Sequence, residues 1–249
     1  MQSLRDIIDS NDRRTSCCLP AIPFGFAAID SALPSRGLDR GALHEFLYND
    51  PLEPDAVALT IPTLLAYNAL SSLRYILWIG KRAWPSPLAL SGLGADNPTR
   101  SESLFGHSVF IDPPNDSAIL WAIDLALRSP AVELVVATCP QISRTTTQRL
   151  TLAAKKYGTT AILLRSYSDY ATPSCAASRW SIAPTPSTQR SPAWRLSLNK
   201  LRSGLLLRKA VGGSLGGEWI VSLFDALELP ASKDSSHGQD LISTQRIHA

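Results

Sequence analysis

Charge is scarce in this chain. Asp, Glu, Lys and Arg make up 18% of 249 residues, below the usual quarter. Much of the surface is therefore expected to be neutral or covered by a partner. The formal net charge of +3 is too small to argue for nucleic acid alone. No apolar run approaches the length of a membrane span. The N-terminal MQSLRDIIDS lacks the apolar core of a signal peptide, so no membrane contact and a cytoplasmic location are expected. Cys17, Cys18, Cys139 and Cys175 have no metal-ligand spacing, and adjacent Cys17-Cys18 is not a C-x-x-C motif. They read as reduced cytosolic thiols. Nowhere does the sequence offer a Ser/His/Asp arrangement, a metal cluster or an internal repeat. No catalytic residue, cofactor or metal is expected.

The most informative absence follows residues 24–47, FGFAAIDSALPSRGLDRGALHEFL. Ala28, Ile29, Ala32 and Leu33 fall at helical spacing, and Pro34 stops that helix. Gly37 and Gly41 bracket a turn, and residues 42–47 suit a buried strand. In a nucleotide-binding α/β domain a phosphate loop, G-x-x-x-x-G-K-[ST], would come next. Here the chain reads Tyr48-Asn49-Asp50-Pro51-Leu52-Glu53-Pro54-Asp55, without glycine or lysine. The prolines remove N–H donors, and the carboxylates repel a triphosphate. Asp55 reads instead as the N-cap of the next helix.

Helices are expected over residues 56–73, 86–90, 115–128 and 142–157, with Pro62 kinking the first or delaying its start. Short apolar runs at 75–79, 107–111, 132–137 and 160–164 read as buried parallel strands. This alternation predicts a doubly wound parallel sheet. In the helix over 115–128, Ile119, Ile123, Ala126 and Leu127 share one face, and Trp121 and Leu125 are expected to be buried against the sheet. The pattern then changes to period two at 179–182 and 194–199, the mark of antiparallel strands. Further strands are expected over 205–211 and 218–224. The expected organisation is an N-terminal helix and linker (1–22), a core with a β-rich extension (23–227) and a disordered tail (228–249).

Between Leu134 and Gly217 the only acid is Asp169, against a run of lysines and arginines. A one-sign stretch suits phosphate or an acidic protein surface. Arg179, Arg195, Lys200 and Arg202 are the candidate contacts, with Trp180, Trp194 and Tyr167 among the charges in places that suit stacking on single-stranded DNA. An acidic protein partner and a merely solvated face remain alternatives. Trp180 and Trp194 alternate with polar residues and are expected to face the core. His44 and Glu45 read as structural, since no nucleophile is adjacent.

Several of these segments carry a family resemblance. They are Ala28-Ile29-Asp30 with Arg36-Gly37-Leu38-Asp39-Arg40-Gly41-Ala42-Leu43-His44-Glu45; Leu77-Trp78-Ile79 before Leu90-Ser91-Gly92-Leu93; LWAIDLALRS at 120–129 running into AVELVV at 131–136; and Ser178-Arg179-Trp180 before Trp194-Arg195-Leu196. Over roughly residues 22–222 the chain resembles the ImuA family of RecA-like proteins, and more distantly RecA and the SulA-like division inhibitors. The resemblance implies a RecA-like three-layer α/β core with a C-terminal antiparallel extension. It also implies a noncatalytic accessory role in SOS-induced, error-prone translesion DNA synthesis. The implied partners are an ImuB-like Y-family polymerase homologue, an error-prone DnaE-type polymerase, RecA and single-stranded DNA, with recruitment to the nucleoid on DNA damage. Where RecA-type ATPases place a catalytic glutamate, a Walker-B aspartate and a sensing glutamine, this chain has Lys81, Thr138 and Arg165-Ser166. With Asp50 and Glu53 in the phosphate loop, these are the degenerate positions of the implied nucleotide site. A divergent ATPase and a SulA-like inhibitor are the alternative functions.

Overall fold

The computed structural model describes residues 20–48, 56–70, 74–81, 83–86, 89–90, 98–186, 192–201 and 217–222. Expectations for residues 1–19, the strand over 205–211 and the tail lie outside these residues. The described elements run α1 (Ala27–Ala32), β1 (Leu43–Tyr48), α2 (Ala56–Ala69), β2 (Tyr75–Ile79), α3 (Pro98–Gly106), β3 (Ser108–Ile111) and α4 (Asp116–Leu127). They continue with β4 (Val132–Thr138), α5 (Arg144–Tyr157), β5 (Thr160–Ser166), β6 (Ser178–Thr185), β7 (Ala193–Leu201) and β8 (Glu218–Ser222).

One 8-stranded sheet has the order β3-β2-β4-β5-β1-β6-β7-β8. Pairings from β3 to β6 are parallel, and β6–β7 and β7–β8 are antiparallel. Helices cover both faces of the parallel part, giving three layers. On one face α1, α2 and Leu104 of α3 close over Phe46, Trp78, Val136, Ile162 and Trp180. On the other, α4 and α5 close over Ile79, Val135, Ala137, Ala161 and Leu163. Burial from both sides explains why β4 and β5 are almost continuously apolar. Trp180 and Trp194 face the core, both fully buried, as their alternation predicts.

Local chemistry sets the helix ends. Asn115 caps α4 by accepting from Ala118 N–H (2.9 Å). Ser143 caps α5 by accepting from Thr146 N–H (3.1 Å). Gly158, at φ 72°, ends α5 in the left-handed conformation glycine tolerates, and Lys155 and Lys156 complement the last turn. Pro62 sits inside α2, which is helical from Ala56 through Ala69.

Two expectations need correction. Helix α3 lies where none was expected; PTRSESLFG carries too few apolar residues to register a helical period. On α4, Ala122, Ile123, Ala126 and Leu127 are buried, but Trp121 and Leu125 are 68% and 54% exposed. Those two point away from the sheet because Ile123 and its neighbours already complete the inward stripe. Accordingly, Leu125→Ala should change stability by no more than about 0.5 kcal/mol. The cavity cost of about 2–5 kcal/mol that a buried leucine would show is not expected. Urea unfolding of the two proteins decides between these values.

Candidate functional site

In open α/β sheets, ligands bind outside the carboxyl ends of the parallel strands. In this protein that rim is formed by the ends of β1, β2, β4 and β5. The loop after β1, with Asp50 and Glu53, lies outside the described residues. At the end of β2 the chain turns at Gly80 (φ 113°), where an added Cβ would stand 2.0 Å from Thr138 Oγ1. Only glycine lets these two strand ends approach so closely. Lys81 follows and is exposed. Thr138 ends β4 as expected and presses its hydroxyl against Gly80. Beside it, burial pushes the Cys139 thiol up to about 12, so it stays protonated and unreactive.

Arg165, at the rim end of β5, is fully buried. Its Nη1 donates to Glu45 Oε1 (2.7 Å) and its Nη2 to Asp169 Oδ2 (3.1 Å), while its Nε is buried without an acceptor. Arg179 completes the cluster, donating from Nε to Glu45 Oε2 (2.8 Å). Two arginines and two carboxylates thus balance inside the protein, as buried charges require. The reason for the cluster is the connection from β5 to β6. After a 3-10 turn at Tyr167–Asp169, it crosses the sheet as an irregular strap, and its carbonyls need donors. Arg179 supplies them, to Tyr170 O (2.8 Å) and Thr172 O (2.9 Å).

Arg179 is therefore not a surface contact. It does face away from Trp180, as the alternation implies, but the strap and Glu45 cover that side. Arg195 is exposed and paired with Glu218 (3.1 Å). Lys200 is exposed and donates to Ser174 O of the strap (2.6 Å). Arg202 lies outside the described residues. Of the candidate contacts, Arg179 is thus withdrawn from the surface, while Arg195 and Lys200 are exposed on β7. The sequence reading missed Tyr170, which stacks on Tyr167 with ring centroids 5.4 Å apart. Both rings are nearly half exposed where the strap leaves β5. Their spacing of three residues around the lone acid was the available signal.

At the amino ends of β1 and β6 a second polar chain is fully satisfied. Trp180 Nε1–H donates to Ser178 Oγ (2.9 Å), which lies 2.7 Å from His44 Nδ1. His44 Nε2 faces Asp39 O at 2.9 Å. A carbonyl can only accept, so Nε2 carries the proton and Ser178 donates to Nδ1. Burial pushes the His44 pKa below its usual value, keeping it neutral. Glu45 and His44 both have structural partners, as expected. No family model and no curated protein matches this chain.

Proposed function

We propose that the protein is a noncatalytic, RecA-like accessory factor of the ImuA type, acting in SOS-induced, error-prone translesion DNA synthesis. Its role would be to hold an ImuB-like polymerase homologue, a DnaE-type polymerase and RecA near damaged DNA. The observation that carries this reading is the occupancy of the sheet's carboxyl rim. Lys81 stands at the expected position of a catalytic base, Thr138 at that of a magnesium-binding acid, and Arg165 at that of a phosphate sensor. Arg165 is committed to Glu45 and Asp169, so it has no charge to spare for a nucleotide. A lysine is no base at neutral pH without an extreme shift. The low charge content fits a protein that works within a complex. Direct DNA contact, on this reading, falls to the Tyr167–Tyr170 pair with Arg195 and Lys200 rather than to Arg179, Trp180 or Trp194.

Calorimetric titration of the full chain with Mg-ATP should give no binding heat at up to about 1 mM, a standard free energy weaker than about −4 kcal/mol. Co-purification with an ImuB-like partner should persist without nucleotide. Micromolar ATP affinity would overturn the noncatalytic reading, and failure to hold any polymerase partner would overturn the accessory role.

A further inference from the structure

Trp121 and Leu125 lie one helical turn apart on the outward side of α4. On α5, Leu152 is 60% exposed. The two helices lie side by side, tied by Arg149 to Asp124 (3.7 Å) and by Arg128 over the Tyr157 ring (5.9 Å). These contacts place Arg128 and Arg149 along the seam between the helices. The acid at the seam, Asp124, is already engaged by Arg128 (2.8 Å) and Arg149. Helix α5 contains Arg144, Arg149, Lys155 and Lys156 and no acid. The outward side of α4 is thus an apolar pair, Trp121 and Leu125, with a basic border on its α5 side.

We propose that this face of α4 and α5 is a docking surface for an acidic amphipathic helix of a partner protein. The chemistry selects that occupant. Trp121 and Leu125, one turn apart, offer anchors for apolar side chains, and an exposed tryptophan is a frequent hot spot. The arginines and lysines on the α5 side call for carboxylates along the facing side of the partner. A second copy of the chain fits poorly, because a two-fold pairing of the same face would bring two basic borders together. Nucleic acid would use the border and leave the outward leucines in water. The inference rests on this surface alone and does not depend on the translesion reading.

The test uses the full chain and labelled helical peptides of about five turns. They carry one leucine stripe at i, i+3, i+4 and i+7, flanked either by glutamates or by lysines. Fluorescence anisotropy should show the acidic peptide binding, and the basic one at least about tenfold more weakly. Trp121→Ala/Leu125→Ser and, separately, Arg149→Glu should each weaken the acidic peptide about tenfold. Both variants should keep the parent's circular dichroism and urea midpoint, since all three side chains are exposed. The proposal is overturned if no acidic peptide binds, if both peptides bind alike, or if the double variant binds like the parent. It is equally overturned if the double variant instead turns a dimer into a monomer in sedimentation, or loses single-stranded DNA rather than peptide.

Discussion

Glu45→Ala is expected to lower the free energy of unfolding by about 3–5 kcal/mol. Glu45 is fully buried, and its two oxygens each accept from a different arginine. Removing it leaves Arg165 with Asp169 as its remaining partner, and Arg179 with the strap carbonyls alone. Neither guanidinium can shed its proton to escape the cost. The loss should exceed that of any exposed pair, such as Arg195 with Glu218, whose disruption is worth about 0–1 kcal/mol. Urea denaturation is the measurement. A difference below about 1 kcal/mol would mean that water reaches the cluster and that the strap is not sealed onto the sheet.

The second large effect is at Trp180. Its ring lies 4.8 Å from Phe24, 6.1 Å from Phe46 and 5.9 Å from Trp219, centroid to centroid. Trp180→Ala should cost about 3–5 kcal/mol through the cavity it leaves. Trp180→Phe, which keeps a ring in place but gives up the donor to Ser178 and part of the indole's packing, should cost less, about 1–3 kcal/mol. Equal losses would show that the hydrogen-bonded chain to His44, not the packing, dominates. That chain also gives a pH signature. The folded-state pKa of His44 is lowered, so below about pH 6.5 the unfolded chain takes up a proton that the folded one refuses. Stability should therefore fall as pH drops through that value, by at most about 1.4 kcal/mol per unit. It should level off once the folded-state pKa is passed. His44→Asn, less stable throughout, should lose the slope between about pH 5 and 6.5.

The parallel strands were legible because burial on both sides leaves short apolar runs, as in Val132–Thr138 and Thr160–Ser166. The antiparallel extension was legible because one side of β6 and β7 alternates with the other. Helix α4 was legible as a helix but not in its orientation: ILWAIDLAL is apolar nearly all the way round, so periodicity could not choose a face. The same limit, with the sign reversed, hid α3, whose sequence is polar nearly all round. For the site, alternation placed Arg179 on the side away from Trp180. What covers that side is a long-range fact, since Glu45 and Arg179 are 134 residues apart. The hint lay in two unusual acids: Glu45 inside an otherwise apolar strand, and Asp169 alone in a basic half.

The place of β1 in the sheet also bears on how the chain is made. Its hydrogen-bonding neighbours are β5 and β6, both far later in the sequence. Glu45 precedes Arg165 by 120 residues. At a synthesis rate of 5–20 residues per second, Leu43, Phe46 and Leu47 wait roughly 6–24 s for a strand to pair with. The hairpin of β6 and β7, by contrast, closes as soon as it emerges. Assembly on the ribosome therefore cannot run in chain order. The first strand is placed only after the fifth has been made, and until then it is an unpaired apolar edge of the kind chaperones bind. A nascent chain stalled before residue 160 has no seat for its own beginning.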